Sequence, residues 1–244
     1  MSTTSPPLEL KIHSKIHPRI LLAILRHGPT LWTEEGRIQG RKDIPLSPQG
    51  RDRVATWHLP PEFKTFTVLT SPLGRARQTA QILGFSDALS DPRLTEMDWG
   101  EWEGRRLADL RAELRGDFTA AENQGLDFTP PGGESPRHVQ ERLQPLLTEI
   151  AHRGQATLFI CHKGILRALY ALATSWPMIG KLPHRLDDGC LHLFHLTPDD
   201  DTGRSIVGLE KTNIPLTTSA APSEPPSGMP SGVPSGTGTK TSSS

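Results

Sequence analysis

Five apolar runs are spaced along the chain and predict β-strands. They are RILLAIL (19–25), TFTVLT (65–70), ATLFIC (156–161), CLHLFHL (190–196) and SIVGLE (205–210). Short apolar runs bounded by polar turns are typical of buried strands. The segments between them show the spacing of helices, so the pattern predicts strands that alternate with helices.

Three of these helices have a recognisable start. Each begins at a Ser-Pro pair, at Ser47, Ser71 and Ser135. A serine side chain caps free backbone N–H groups, and proline suits the first helical turn. The third helix is predicted to kink at Pro145, and its apolar residues follow at helical spacing: Val139, Leu143, Leu146 and Ile150. The alternation predicts an α/β fold, a three-layer α/β/α sandwich around a mostly parallel mixed sheet.

Three segments depart from this alternation. Residues 97–134 are rich in Gly, Pro and acidic residues, and we expect an excursion that covers a pocket at one end of the sheet. Residues 1–18 are polar, and residues 217–244 are nearly all Ser, Thr, Pro and Gly. Such compositions cannot bury enough surface to offset the entropy of ordering. The chain is therefore predicted to have one domain, 19–216, between a flexible N-terminal segment and a disordered tail.

Charge and hydropathy exclude some classes of protein. Lys+Arg and Asp+Glu both number 27, so the basic excess typical of nucleic-acid binding is missing. The arginines of RRLADLRAELR (105–115) are interleaved with Leu and acids and are predicted to lie on a solvated helix face. No apolar run approaches the ~20 residues of a membrane span, and ILLAIL leads into RHG without a signal-cleavage site. With two cysteines predicted to be reduced, we expect a soluble, cytoplasmic protein.

Polar residues that follow three predicted strands carry the candidate chemistry. They are Arg26-His27-Gly28, Arg75 within SPLGRARQTA, and His162-Lys163-Gly164. Ligands of parallel sheets bind outside the carboxyl ends of the strands, where helix N-termini add free N–H groups. Two arginines and two histidines in one crevice would repel each other without an anion, and phosphate is the natural candidate.

These motifs resemble the histidine phosphatase superfamily, in the branch of cofactor-dependent phosphoglycerate mutases and small-molecule phosphatases. The resemblance covers roughly residues 19–212. Six segments carry it in the family's order: LRHGPTLW, GRIQGRKDIPLSPQGR, SPLGRARQTA, LTEMDWGEWEG, PGGES and CHKG.

The resemblance implies a role for each motif residue. His27 would be the nucleophile that forms a phosphohistidine. Arg26, Arg75 and His162 would surround the phosphoryl oxygens. Glu96 would be the general acid that protonates the leaving alkoxide and then activates water. No metal or other cofactor is implied, because the arginines supply the positive charge.

Further residues are candidates for substrate binding or are rivals for these roles. Gln39 and Gly40 match a family segment that helps to bind phosphate. Thr33 stands where an asparagine is common, Pro29 where a glutamate is common, and Lys163 where many members have glycine. Rivals for the acid and for the buried arginine lie close in sequence: Asp98, Glu101, Glu103 and Arg77.

The segment LTEMDWGEWEGRR has the form seen in phosphatase members rather than in mutases, and GGES is also typical of phosphatases. The resemblance therefore implies a metal-independent phosphomonoesterase that acts on a small phosphate ester, with no nucleic-acid or membrane partner. Mutase-type phosphoryl transfer and a non-catalytic phosphate-binding scaffold are the alternatives. Trp99, Trp102 and Phe118 line an apolar rim or pack the excursion. The substrate and the oligomeric state stay open.

Overall fold

A six-stranded mixed sheet forms the centre of the molecule. The computed structural model describes residues 17–218. Its strands are β1 (Ile20–Arg26), β2 (Trp57–His58), β3 (Thr67–Thr70), β4 (Leu89–Ser90), β5 (Thr157–Cys161), β6 (Cys190–Asp199), β7 (Arg204–Pro215) and β8 (Thr217–Thr218). The large sheet has the order β4-β3-β5-β1-β6-β7, and β6 runs antiparallel to the other five strands. The predicted α/β fold with a mostly parallel mixed sheet is confirmed.

Six α-helices connect or follow these strands. They are α1 (Leu31–Glu34), α2 (Pro48–Ala55), α3 (Gly74–Ile82), α4 (Leu107–Glu122), α5 (Pro136–Arg153) and α6 (Lys163–Thr174). The Ser47 and Ser135 side chains cap α2 and α5, as predicted. Each serine hydroxyl accepts from an N–H group three residues later, and the proline at the first helical position favours the same helix start.

The predicted cap at Ser71 is wrong. Helix α3 begins at Gly74, and no side chain of its N-cap residue makes a capping hydrogen bond. Instead, the Gly74 N–H donates to Oδ1 of Asp43 at 2.6 Å. The cap is therefore supplied by a loop 31 residues earlier in the chain.

Side chains of β1 alternate between two hydrophobic clusters, one on each face of the sheet. Leu22 and Ile24 pack in a cluster that includes the buried faces of α5 and α6. Ala23 and Leu25 pack on the opposite face with apolar residues of α2 and α3. The period of two along the strand thus produces the three layers.

The excursion between β4 and α5 packs over the first of these clusters. Trp102 stacks on Phe118 with ring centroids 5.4 Å apart and lies 5.7 Å from Phe128. Helix α4 is interrupted at Arg115, whose φ is 44°. Trp102 therefore packs the excursion, whereas Trp99 and Phe118 also line a cavity beside it. The arginines near them form surface ion pairs, such as Arg105 with Glu113.

The C-terminal end of the described chain extends the domain slightly. The sequence predicts that Thr217 and Thr218 belong to the tail. In the structure they form β8 and pair with Trp57 and His58 of β2. Leu216 just before them is buried in the second cluster. The remainder of the predicted tail, 219–244, and residues 1–16 lie outside the described residues.

Candidate active site

The carboxyl ends of β3, β5 and β1 lie side by side, as the sequence predicts. Arg26 pairs with Cys161 in the β1–β5 register, and the His27 N–H donates to the Cys161 carbonyl at 2.9 Å. The Ser71 N–H, just beyond β3, donates to the Ile160 carbonyl at 3.1 Å. This register brings the polar residues after all three strands to one edge of the sheet.

The hydrogen bonds of His27 define its tautomer. Nδ1 lies 2.7 Å from the Gly28 carbonyl oxygen, which can only accept, so Nδ1 carries the proton. The Nε of Arg75 can only donate, and it lies 3.2 Å from Nε2 of His27. Burial, followed by the charges of Arg26 and Arg75, holds the pKa of His27 well below its usual value. The imidazole is therefore neutral, and its unprotonated Nε2 accepts a hydrogen bond from Nε of Arg75.

Arg75, rather than its rival Arg77, belongs to the site. The Arg75 side chain is completely buried, whereas Arg77 is exposed. The two terminal nitrogens of Arg75 donate to the carbonyls of Lys42 and Gly40, each at 2.8 Å. Gly40 has φ +54°, a left-handed conformation that glycine adopts readily. Gly40 thus contributes through its backbone, by orienting Arg75.

Buried polar atoms without partners converge on the same place. Both ring nitrogens of His162 and the Nε of Arg26 have no hydrogen-bond partner within residues 17–218. The His162 ring is fully buried, 5.2 Å from the ring of His27. Burial first, and then the charge of Arg75, lower the pKa of His162 well below its usual value. Unpaired buried polar groups are unfavourable, so this arrangement is suited to a hydrogen-bonding ligand.

Glu96 is held at the start of α6, beside these residues. Its carboxylate accepts from the Met97 N–H at 2.8 Å and from the Gly164 N–H at 3.1 Å. A Cβ on residue 164 would overlap this carboxylate, so the close approach requires glycine. The HKG motif thus supplies both His162 and the space for Glu96.

The rival carboxylates are engaged elsewhere. Glu103 accepts from the Arg41 N–H at 2.6 Å, and Asp98 accepts from the Gly100 N–H at 2.8 Å. Glu101 is exposed. Of the four acidic candidates, only Glu96 is buried against α6.

Within residues 17–218, the Thr33 hydroxyl is used inside the chain, whereas the side-chain amide of Gln39 accepts one hydrogen bond and keeps its two N–H donors free. The Thr33 hydroxyl donates to the Thr30 carbonyl at 2.7 Å, within the capping box of α1. The Oε1 atom of Gln39 accepts from the Thr30 hydroxyl at 2.9 Å. Thr30, which sequence reasoning missed, therefore joins both side chains near the site.

Asp188 is a second residue that sequence reasoning missed. It forms an ion pair with Arg26 and lies 3.5 Å from the Lys163 ammonium. Arg26, His27 and Asp188 line a small cavity of about 200 Å³. The acidic pair of LDDGC precedes β6, but only the antiparallel pairing of β6 with β1 places that pair at the carboxyl end of β1, and no local motif shows this pairing.

Other chemistry in the described part of the chain is limited. Residues 17–218 contain no group of three His, Cys, Asp or Glu side chains arranged to hold a metal ion. Cys161 and Cys190 are free thiols, the first buried and the second partly exposed. Across the same residues, we find no helix with the length and apolar character needed to span a bilayer.

The fold and this site define a class of protein: an α/β enzyme whose pocket at the strand ends suits a phosphoryl group. The model of the histidine phosphatase superfamily (branch 1) matches residues 22–207. The chain belongs to this superfamily, as its motifs predict.

Relatives named as mutases and as phosphatases are both found. A probable phosphoglycerate mutase of Klebsiella pneumoniae is 31% identical over 171 residues, which cover 67% of this chain and 79% of that protein. Phosphoglycerate mutase-like protein 4 of Arabidopsis thaliana is 34% identical over 164 residues, covering 62% and 70%.

Several of the similar solved structures are named as phosphatases. A mycobacterial glucosyl-3-phosphoglycerate phosphatase in complex with inorganic phosphate has a TM-score of 0.65 and 26% identity, covering 82% of this chain and 100% of that one. A putative α-ribazole-5′-phosphate phosphatase of Escherichia coli has a TM-score of 0.62 and 25% identity, covering 80% and 97%. These comparisons support the assignment of the chain as a phosphatase of the superfamily.

Proposed function

We propose that the chain is a metal-independent phosphomonoesterase that hydrolyses a small phosphorylated metabolite through a phosphohistidine at His27. One observation carries the proposal. The neutral His27 has an unprotonated Nε2, oriented by a hydrogen bond from Arg75, at a buried site in which His162 and Arg26 have unpaired polar atoms. A nucleophile beside buried nitrogen atoms that can donate to an anion is the arrangement that phosphoryl transfer requires.

In the first step, Nε2 of His27 attacks the phosphorus of the ester and the P–O bond to the alcohol breaks. Arg26 and Arg75 offset the negative charge on the phosphoryl oxygens, and His162 donates a hydrogen bond from one ring nitrogen. The Gly28 carbonyl stabilises the charge that His27 gains, because it accepts a hydrogen bond from the Nδ1–H group. Glu96 donates a proton to the departing alkoxide.

In the second step, water attacks the phosphorus and the P–N bond to His27 breaks. Glu96, now a carboxylate, accepts a proton from that water as the bond forms. Its two backbone hydrogen bonds hold the carboxyl group in one orientation for both steps. The products are the alcohol and inorganic phosphate, and the enzyme returns to its starting state.

The alternative is transfer of the phosphoryl group to a second alcohol, as the names of the curated relatives suggest. The phosphatase form of LTEMDWGEWEGRR and the phosphatase names of the structural neighbours favour water as the acceptor. Those neighbours are named for a glucosyl phosphoglycerate and for α-ribazole phosphate, so a phosphate on a small organic alcohol is the substrate class we infer.

Trapping the intermediate tests the proposal. We expect acid-labile, base-stable label at His27 when the protein is mixed with a labelled phosphate ester and quenched in alkali, with the site identified by mass spectrometry. His27→Ala should lose both label and turnover, whereas His58→Ala, a change at an exposed histidine, should keep both. Label elsewhere, or turnover by His27→Ala above a tenth of wild type, would overturn it. Release of inorganic phosphate, rather than transfer to 3-phosphoglycerate, separates hydrolysis from mutase activity.

Substitution of Glu96 tests the role of the acid. Glu96→Gln should lower the rate of hydrolysis of an alkyl phosphate by roughly 100- to 10,000-fold, because a poor leaving group needs protonation. The first step with p-nitrophenyl phosphate should be much less affected, so a burst of nitrophenol should precede slow dephosphorylation. Equal slowing of both esters without a burst would make Glu96 structural and direct attention to Asp98 or Glu101.

A further inference from the structure

A cavity of about 500 Å³ opens beside Glu96. Met97 and Gly164, the two residues whose N–H groups donate to the Glu96 carboxylate, form part of its wall. If Glu96 protonates the leaving oxygen, the alcohol portion of the substrate departs at this point. The cavity is therefore placed to hold that portion.

The wall combines an apolar surface with positive charge. Its apolar side chains include the aromatic rings of Trp99, Phe118 and Phe128. Three cations also line it, from two helices and the loop after α6: Arg111, Arg167 and Lys181. One carboxylate lines it as well, that of Glu122, which pairs with Arg111. Apolar walls with a few polar groups are typical of small-molecule sites, where the polar groups select the ligand.

The two arginines differ in whether they are already paired. Arg111 donates to the Glu122 carboxylate at 2.6 Å and lies over the Phe118 ring. Arg167 belongs to none of the ion pairs in the described part of the chain, and its buried Nε has no hydrogen-bond partner there. Burial lowers the pKa of Arg167, and the charges of Glu122 and Glu96 oppose that shift.

The position of Arg167 directs it toward the substrate. It lies three residues after Gly164 on α6, so the two residues share one helix face. Its guanidinium is held over the Trp176 ring at 5.5 Å, which restricts its orientation. The Arg167 guanidinium is thus ordered and partly desolvated, and its Nε–H has no partner within residues 17–218. Such a group favours a ligand that brings negative charge.

We propose that the alcohol portion of the substrate carries a second anionic group, a carboxylate or a second phosphoryl group, which binds Arg167 in this cavity. The body between the two anionic groups packs against Trp99 and Phe118. The inference rests on the proposed function, because it places the leaving alcohol beside Glu96. It restricts the substrates to phosphomonoesters with two separate anionic ends.

A matched series of esters tests this inference. Benzyl phosphate, 4-carboxybenzyl phosphate and 4-phosphonobenzyl phosphate share an alkyl leaving group and an aromatic body, and they differ in the second charge. We expect wild type to have a kcat/KM roughly 10- to 100-fold higher for a charged ester than for benzyl phosphate, the range for a hydrogen bond to a charged group. The better of the two charged esters identifies the second group.

Three variants assign the preference to Arg167. Arg167→Met should reduce the ratio of kcat/KM values, charged ester to benzyl phosphate, to about one, and Arg167→Lys should keep part of it. Arg111→Met should keep the wild-type ratio, because Glu122 already pairs with Arg111. The ratio is insensitive to a general loss of folded protein, so a purely structural role of Arg167 would leave it unchanged.

The outcomes separate this inference from the proposed function. Equal kcat/KM values for all three esters, with His27 still phosphorylated, would overturn the second anionic site alone. An unchanged ratio in Arg167→Met would also overturn it. Failure of wild type to hydrolyse any of the esters or to form phosphohistidine would overturn the proposed function, and this inference with it.

Discussion

Asp188 places a negative charge of the protein itself next to Arg26, the arginine that we propose binds the phosphoryl group. Burial alone would raise the pKa of Asp188, but Arg26 and Lys163 outweigh that effect and hold it below its usual value. Asp188 is therefore a carboxylate at neutral pH. A phosphoryl group that binds Arg26 has to compete with this carboxylate.

Removal of that charge should tighten phosphate binding. Asp188→Asn is expected to lower the inhibition constant of inorganic phosphate roughly two- to fivefold, since a half-exposed ion pair contributes only ~0.2–1 kcal/mol. Competitive inhibition of p-nitrophenyl phosphate hydrolysis measures it. Asp187→Asn is the control, because Asp187 pairs with the exposed Arg185 instead. Weaker phosphate inhibition in Asp188→Asn would show that Asp188 orients Arg26 rather than competing for it.

The buried histidines should make stability depend on pH. The pKa of His162 is lowered in the folded protein, so on acidification the unfolded chain takes up a proton first. The stabilising contribution is complete above an ordinary histidine pKa of about 6.5 and is lost as the pH falls below it, by up to ~1.4 kcal/mol per pH unit.

Urea unfolding of two variants between pH 7.5 and 5 measures this contribution. The unfolding free energy of His162→Gln should fall less steeply with decreasing pH than that of wild type. The difference in slope should correspond to the uptake of up to one proton on unfolding. His152→Gln, at an exposed position, should match wild type. Equal slopes in all three proteins would show that His162 is protonated when folded.

Among the elements, α5 fixes the segment that carries Glu96. Arg142 on α5 donates to the carbonyls of Arg93 and Thr95, the second at 2.7 Å. Its guanidinium also pairs with Glu134, at 2.7 Å from Nε to Oε1. Glu134 belongs to the GGES motif, so this motif connects the excursion to α5. Arg142 is thus a positioning residue for Glu96.

Loss of Arg142 should destabilise the protein and displace the acid. Arg142→Met removes the closer partner of the mostly buried Glu134, which then keeps the 3.4 Å pair with the exposed Arg41, so the cost should be at most that of a broken buried pair, about 3–5 kcal/mol. Arg153→Met on the same helix, where the pair with Glu149 is exposed, should stay within ~0.5 kcal/mol of wild type. Urea unfolding gives both values. An Arg142→Met protein of wild-type stability and activity would contradict the positioning role.

Local sequence signals located those features whose partners are close in sequence. Ser47 and Ser135 bond to N–H groups three residues later, so a short motif contains the whole cap. The start of α3 depends on Asp43, 31 residues away, and no motif at Ser71 shows this. The one cap that the sequence placed wrongly depends on a tertiary contact.

At the scale of the whole molecule, the same distinction applies to the site. Residues that follow strands could be placed together, because parallel strands end at one edge of a sheet. Asp188 and Arg167 could not, since their importance depends on which partners they have or lack in the folded chain. The cavity beside Glu96 likewise needs the packing of the excursion on α6, which its irregular sequence does not reveal.

The C-terminal boundary of the domain is the last feature that the whole molecule sets. Leu216 is buried with Trp57 and Phe63, and β8 beyond it pairs with β2. Truncation after Thr218 should leave the melting temperature unchanged, because the composition of 219–244 predicts no contribution to a core.

Truncation after Pro215 should instead lower the melting temperature by several degrees. Removal of a buried leucine costs about 2–5 kcal/mol, and the β2–β8 pairing is lost with it. Calorimetry of the two truncated proteins beside the full chain measures the difference. Leu216→Ala in the full chain separates the effect of the side chain from that of the strand. Equal melting temperatures for the two truncations would place the boundary of the domain before Leu216.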